Sequence, residues 1–167
     1  MSKQTELAQL GNAVTVDSSG RVYRSTIPSW RLGLSADQNE SSSGSYTVEF
    51  DKSSTQNCFI AGGCTLSAGV ITVPVAGLYF ISSTVRFNNV SSSYYLILRS
   101  VKNGSMLGSE DTYVIVDDHG SSYHTMTITD LFQCNAGDTL EMSGYVQLDS
   151  SWGYDADTSH FNGYMVG

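Results

Sequence analysis

The sequence predicts an all-β sandwich, and three observations support this fold class. Apolar residues recur at every second position in many short segments, as they do along half-buried strands. Turns rich in Gly, Ser and Asn separate those segments, and no helical period is visible after residue 10. Together these features predict two packed sheets in one domain, which a chain of 167 residues can supply with its own core.

Residues 1–25 differ from the rest and are predicted to form an N-terminal arm. A short helix there would place Leu7 and Leu10 on one side, but it would be too short to be stable alone in water. Val14 and Val16 then alternate before an Asp-Ser-Ser-Gly turn, which predicts a hairpin. The arm therefore needs a binding partner to hold it.

Residues 26–167 are predicted to form the sandwich domain. It begins with Trp30, Leu32 and Leu34, which share one apolar face. The polar stretch 37–45 has no periodicity and is predicted to be a surface loop. The later segments predicted as strands are 46–51, 58–61, 85–87, 94–98, 113–116, 125–129 and 139–148.

The densest apolar run is 69–81, in the middle of the domain. Ile71 and Val73 share one face of a strand that ends near Pro74, a residue that cannot donate to a β-ladder. The strand after it is apolar on both faces, through Leu78, Tyr79, Phe80 and Ile81. Such a strand has to be covered on both faces, so we expect the second sheet on one side and another subunit on the other.

This run, Gly-Val-Ile-Thr-Val-Pro-Val-Ala-Gly-Leu-Tyr-Phe, resembles the central signature of a known family, the globular head of the first complement component and its tumour-necrosis-factor-like relatives. The chain departs from that signature at Ile81, where the family usually has a second aromatic residue. Further segments resemble the family's other motifs in the same order: Val-Glu-Phe-Asp at 48–51 with Asn57, Val-Lys-Asn-Gly at 101–104, Gly-Asp-Thr-Leu at 137–140 and His-Phe-Asn-Gly-Tyr-Met-Val at 160–166. The resemblance extends from residue 27 to the C-terminus.

The resemblance implies a ten-stranded jelly roll that assembles as a compact homotrimer. It also implies ligand binding on the outer surface and loops, and it implies no catalysis. Five residues of the quoted motifs are assigned to the core or the trimer interface: Leu78, Tyr79, Phe80, Ile81 and Phe161.

The arm resembles the leader of many fibre and appendage proteins of tailed bacteriophages, in which Leu-Ala-x-Leu and a Val-x-Val-Asp-x-x-Gly hairpin precede a variable domain. The two resemblances together predict a structural protein of a bacteriophage virion. It would form a trimeric surface knob, as a head fibre, spike, capsid decoration or tail fibre, and would contribute to host-surface adhesion. Leu7 and Leu10 would contact a capsid or tail protein. The alternatives are a free lectin-like module that binds carbohydrate or protein, and a hydrolase.

Charge and the N-terminal sequence narrow the partners and the location. Charged residues make up 14% of the chain, against about 25% in an average soluble protein, and the formal net charge is −8. Nucleic acids and anionic membranes both attract basic surfaces, so neither is an expected partner. The first ten residues lack the apolar stretch of a signal peptide, which predicts synthesis in a host cytoplasm before assembly on the virion surface.

Candidate chemistry is sparse, so no enzymatic activity and no cofactor are predicted. Serine and histidine are available, but the Gly-x-Ser-x-Gly turn of many hydrolases is absent. Two pairs of acids, Asp117 with Asp118 and Asp155 with Asp157, are either solvated turn residues or ligands of the kind that calcium prefers. Calcium is possible, but no metal site is predicted.

Three cysteines, Cys58, Cys64 and Cys134, match no zinc or redox spacing. They are interpreted as small apolar residues of a reducing compartment. A disulfide between Cys58 and Cys64 is the alternative.

Ten Tyr and two Trp residues exceed what one sandwich core requires. Each ring belongs either to the core or trimer interface, or to an exposed surface that stacks on sugars or anchors a partner. The segment 150–157 is predicted to be a polar loop that carries Trp152 and Tyr154, followed by Asp155 and Asp157. These four residues are the predicted ligand-binding site for a host-surface glycan.

Overall fold

The computed structural model describes residues 14–16, 22–24, 27–54, 57–90, 95–106, 112–115, 122–147 and 151–166. Every regular element in these ranges is a β-strand. No helix in the described part of the chain has the length and apolar character that a membrane crossing requires.

The first two strands, β1 (Val14–Val16) and β2 (Val22–Arg24), form an antiparallel hairpin in which Val16 lies opposite Val22. This confirms the hairpin predicted in the arm. Leu7, Leu10 and the predicted helix lie outside the described residues.

Within the described ranges, fourteen further strands form two antiparallel sheets of seven, called sheet I and sheet II. The strands of sheet I are β3 (Ser29–Gly33), β4 (Gln38–Glu40), β6 (Phe59–Ala61), β9 (Gly77–Asn88), β13 (Tyr123–Cys134), β15 (Trp152–Tyr154) and β16 (His160–Met165). Strand β9 pairs with β13 on one side and with β15 and β16 on the other. Beyond these, β16 pairs with β3, β3 pairs with β6, and β15 pairs with β4.

The strands of sheet II are β5 (Gly44–Thr47), β7 (Thr65–Ser67), β8 (Val70–Thr72), β10 (Tyr95–Lys102), β11 (Ser105–Met106), β12 (Thr112–Ile115) and β14 (Thr139–Gln147). Strand β14 is central and pairs with β10, β5 and β8. Strands β11 and β12 pair with β10, and β7 pairs with β8. The predicted all-β jelly-roll sandwich is confirmed, while the count of ten main strands stays a prediction because several of these segments are only two or three residues long.

The core lies between the sheets and takes alternate residues from both. Trp30 and Leu32 come from sheet I, Leu98 and Met142 from sheet II, and each is at most 1% exposed. Alternation places them there because successive side chains of a strand point to opposite faces. The predicted inward faces of β3, β13 and β14 are therefore confirmed.

The strand predicted to be covered on both faces is the start of β9. Tyr79 and Ile81 point into the core with Phe161, and none of the three is more than 1% exposed. Leu78 and Phe80 lie on the outer face and stay half-buried. Within one chain, therefore, only one face of this strand is fully covered.

Two glycines of the inward faces leave room for the largest rings. A methyl group at Gly163 would lie 2.2 Å from Cζ2 of Trp30, and one at Gly144 would lie 2.5 Å from the hydroxyl oxygen of Tyr154. Both distances are far inside van der Waals contact. The rings therefore occupy the space that a side chain at either position would need.

The prediction of a loop at 37–45 is wrong in part. This stretch contains β4 and the start of β5, and β4 pairs with β15 from the other segment predicted to be a loop. Glu40 lies opposite Trp152, and Gln38 lies opposite Tyr154. Each segment is polar when seen alone, but its backbone hydrogen-bonding groups are satisfied by a strand that is distant in sequence.

The three cysteines are free, with Cys64 and Cys134 buried and Cys58 half-buried. Burial raises the pKa of Cys64 to about 11. The interpretation of Cys64 and Cys134 as small buried residues is confirmed, and the alternative disulfide between Cys58 and Cys64 is not formed.

Two of the motifs quoted above meet in one network at the end of β10. Asn103 has a φ of 52° and closes the turn to β11. Its amide nitrogen donates to Asp138 at 2.9 Å, and the Lys102 ammonium lies 2.9 Å from the same carboxylate. The hydrogen bond from Asn103, followed by bonds from the Asn135 backbone and Lys102, lowers the pKa of Asp138 to about 2.

The pH dependence of unfolding tests this network. Because the folded-state pKa of Asp138 lies below its ordinary value of 3.8, the stabilisation is present above about pH 4 and is lost as the pH falls towards 2. The difference in unfolding free energy between the wild type and Asp138→Asn should shrink over that interval, as measured by urea titrations from pH 2 to 7. Asn103→Gly, which keeps the turn but removes the main hydrogen bond, should weaken the pH dependence. A difference that is constant with pH would contradict the assignment.

Candidate functional site

The outer face of sheet I carries an exposed apolar patch. Leu131 on β13 lies opposite Phe80 on β9, and Phe80 lies opposite Tyr164 on β16. The Phe80 and Tyr164 rings contact with centroids 5.5 Å apart. Leu131 is nevertheless 55% exposed and Tyr164 is 49% exposed.

The patch continues to the end of the sheet. Val166 donates its backbone N–H to the carbonyl oxygen of Leu78 at 2.7 Å, and its side chain is 54% exposed. The set Leu78, Phe80, Leu131, Tyr164 and Val166 is called the apolar patch from here on. It presents adjoining apolar side chains to solvent when one chain is considered alone.

Hydroxyl and amide side chains cover the middle of the same face. The Thr84 and Thr127 hydroxyls hydrogen-bond to each other at 2.9 Å, and Asn162 donates to the Ser82 carbonyl oxygen at 3.3 Å. The side-chain oxygen of Asn162 is buried and has no partner within the described part of the chain. The outward positions of β3, β9, β13 and β16 include no acidic residue.

An ion pair closes the far end of this face. The Arg86 guanidinium lies 2.5 Å from the Asp155 carboxylate and 4.9 Å from the centre of the Tyr123 ring. The hydrogen bond to Asp155 raises the pKa of Arg86. Asp155 is only 7% exposed and also accepts a hydrogen bond from the Asp157 backbone at 3.0 Å. Asp155 therefore holds a turn in place rather than facing a ligand, while Asp157 is exposed.

The predicted exposed aromatic site is wrong. Trp152 and Tyr154 are both 0% exposed, because β15 is a strand of sheet I whose side chains enter the core. The Trp152 indole donates to the Ser42 carbonyl oxygen at 2.8 Å, and the Tyr154 hydroxyl donates to the Tyr46 carbonyl oxygen at 3.0 Å. Burial raises the pKa of Tyr154. Neither ring can contact a glycan in this structure.

Among the residues whose exposure the structure describes, the exposed large rings lie at Phe59, Tyr95, Tyr123 and Tyr164. The sequence contained a signal for Tyr164, since it lies three residues after the buried Phe161 and so occupies the opposite face of the same strand. The family resemblance places 160–166 in the closing strand but does not separate its two faces.

An open groove of about 660 Å³ lies beside β6 and β7, lined in part by Phe50, Ile60 and Leu66. Asp51, the acidic residue among the lining residues that the structure describes, already accepts hydrogen bonds from the backbone and the hydroxyl of Ser35. Among its described lining residues, the groove therefore presents no free charged group that would orient a ligand.

No three His, Cys, Asp or Glu side chains of the described ranges come together as metal ligands. Asp117 and Asp118 lie outside those ranges. The expectation that the protein binds no cofactor stays a prediction.

Substitution of the buried indole tests the corrected role of Trp152. Trp152→Ala should lower the free energy of unfolding by about 3–5 kcal/mol, because it opens a large cavity and removes the donor to Ser42. Tyr95→Ala, at a ring that is 44% exposed, should change it by less than about 1 kcal/mol. Urea unfolding of both variants measures the difference. Equal small effects would show that Trp152 is not part of the core.

Comparison with known proteins gives one family match. A sequence model of the TNF (Tumour Necrosis Factor) family matches residues 52–166, which is most of the chain and includes β9, β13 and β16. No curated protein matches the chain.

Proposed function

Because the chain belongs to the TNF family, whose members typically self-associate as trimers, we propose that it forms a homotrimer through the outer face of sheet I. The observation that carries this proposal is the apolar patch. Leu131, Tyr164 and Val166 are each about half exposed in a single chain, and Phe80 and Leu78 of β9 lie between Leu131 and the other two on the same face of paired strands.

Burial of the patch would supply the driving force for association. Apolar surface removed from water contributes about 25 cal/mol per Å², and a contiguous apolar patch on a soluble protein commonly marks an interaction site. In a cyclic trimer every copy contributes the same face, and each contact joins one part of that face to a different part on the neighbouring copy. A trimer would thus cover the outer face of β9 that one chain leaves open.

The polar middle of the face is compatible with burial. Thr84 and Thr127 satisfy each other, so they can enter an interface without losing hydrogen bonds. The unpartnered oxygen of Asn162 would gain an acceptor role towards a neighbouring copy or a bridging water.

The trimer is tested by mass and by one charged substitution. Light scattering on the full chain should give about three times the 18.0 kDa chain mass. Leu131→Glu should raise the trimer dissociation constant at least about a hundredfold, because it places an unpaired charge in the interface.

Tyr95→Glu serves as the matched control, because Tyr95 is similarly exposed but lies on sheet II. It should leave the mass unchanged. A wild-type monomer at micromolar concentration, or equal dissociation of both variants, would contradict an interface on sheet I.

The role proposed for the trimer is a non-enzymatic structural knob on a bacteriophage virion, in contact with the host surface. Its support is the resemblance of residues 1–25 to phage appendage leaders, together with the β1–β2 hairpin at the position where those leaders have one. Three arms joined by one knob would bind a symmetric socket through multivalency, although each arm alone is weak.

The lectin-like alternative depended on an exposed aromatic site at Trp152 and Tyr154. Both rings are buried, so this observation no longer supports it. Contact with the host surface therefore remains part of the proposal without assigned residues.

Deletion of residues 1–25 tests the division between arm and knob. The truncated protein should remain a folded trimer, because the apolar patch and the core lie in the sandwich, but it should be lost from virions. Mass spectrometry of purified particles measures incorporation, and the full chain with Leu7→Ser and Leu10→Ser tests the apolar stripe alone. Full incorporation of the truncated protein, or its failure to trimerise, would contradict the proposed roles.

A further inference from the structure

We propose that Arg31 of one copy forms an ion pair with Asp130 of the next copy around the trimer. This inference rests on the proposed trimer and specifies how its subunits are joined. Arg31 lies on β3, beside one edge strand of sheet I, and Asp130 lies on β13, the strand at the opposite edge. Each contact would therefore join two different edges of the sheet.

A ring of three identical chains requires two different contact surfaces on each chain. In cyclic assemblies beyond the dimer, one surface of a copy meets another surface of its neighbour. Sheet I offers two such sides, because β13 and β6 lie at its opposite edges and each pairs with one other strand in the described part of the chain. The ring closes if the β13 side of one copy meets the β3–β6 side of the next.

The β3–β6 side presents a cation. Arg31 is exposed, and its guanidinium has no hydrogen bond or ion pair with the other described residues. Phe59 lies opposite it on β6 and is 48% exposed. This side thus combines an unpaired positive charge with an exposed apolar ring.

The β13 side presents the complementary groups. The carboxylate of Asp130 accepts hydrogen bonds from the Ser100 hydroxyl at 2.7 Å and from the Leu131 backbone at 2.8 Å. It forms no ion pair within the described ranges. Asp130 occupies an inward-facing position of β13, as Ile128 and Phe132 do, and its carboxylate reaches Ser100 on β10 of sheet II. It stays half-buried, because β13 is an edge strand of sheet I, and the next residue is the exposed Leu131.

The pairing registers put Asp130 and Arg31 at nearly the same height, that is, at nearly the same position along the strand direction. Asp130 lies opposite Ile81, Ile81 opposite Gly163, and Gly163 opposite Trp30, the residue before Arg31. Rotation about an axis parallel to the strands keeps the height of every atom, so contacting residues must share a level. One residue of offset is about 3.4 Å, which the long arginine side chain can span.

Few other acids of sheet I can serve. Its strands contain only Glu40 and Asp130 as acidic residues, and Glu40 lies on β4, where it accepts a hydrogen bond from Gln38. A carboxylate that is half-buried and already hydrogen-bonded is also held in a fixed direction. This preorganisation favours a charge-assisted contact with an arriving guanidinium.

Charge exchange tests the pair on the full chain. Arg31→Asp and Asp130→Arg should each raise the trimer dissociation constant about tenfold or more, measured by light scattering over a dilution series. The double variant should recover most of the loss, because the pair is restored with opposite polarity.

Two controls separate the pair from general effects. Lys52→Asp reverses a charge on an exposed lysine next to β3 and should not be rescued by Asp130→Arg. Ser100→Ala removes one of the two hydrogen bonds that orient the Asp130 carboxylate, so it should reduce, without abolishing, the effect of Arg31→Asp. If charge reversal hinders folding, the neutral variants Arg31→Gln and Asp130→Asn and their double variant provide the same cycle, and their effects should be less than additive.

Additive effects in both cycles, or unchanged dissociation in the single variants, would overturn the pair while leaving the trimer intact. A monomeric wild type would instead overturn the trimer and the pair together.

Discussion

The structure depends on the pairing of β9 with strands on both of its sides. Along its twelve residues β9 is joined to β13 on one side and to β15 and β16 on the other. This pairing fixes the direction of every side chain, because successive residues of a strand alternate between faces. Tyr79 and Ile81 therefore enter the core, and Leu78 and Phe80 must lie on the outer face. The core and the apolar patch are two consequences of the same ladder.

The position of β15 shows how long-range pairing changes the role of a segment. Its backbone lies between β4 and β9, so Trp152 and Tyr154 must project towards sheet II. The aromatic core accepts them because Gly144 leaves the space beside Tyr154, and because carbonyl oxygens accept both polar hydrogens. The ion pair of Arg86 with Asp155 then ties the end of β15 back to β9. A stretch that is polar in sequence thus contributes two rings to the core.

The charge distribution bears on assembly. The chain has a net charge of −8, yet the outward positions of β3, β9, β13 and β16 carry no carboxylate. Three acidic chains that met through acidic faces would repel one another, whereas this face offers apolar and hydroxyl groups together with Arg31. The absence of acids from this face removes a cost of assembly. A single acid at the side of the sheet, Asp130, can then define which side of a neighbour is accepted.

The sequence by itself determined the fold class, the inward faces of the regular strands and the family, whose model matches residues 52–166. Alternation was sufficient there because it depends only on neighbours along the chain, as for Trp30 and Leu32 or Met142 and Val146. Tertiary structure alone decided that Trp152 is buried, since its covering strand β4 lies more than one hundred residues earlier in the chain. It also decided that the outer face of β9 remains open in one chain. A period of two shows which residues share a face, but what covers each face depends on strands that local sequence does not specify.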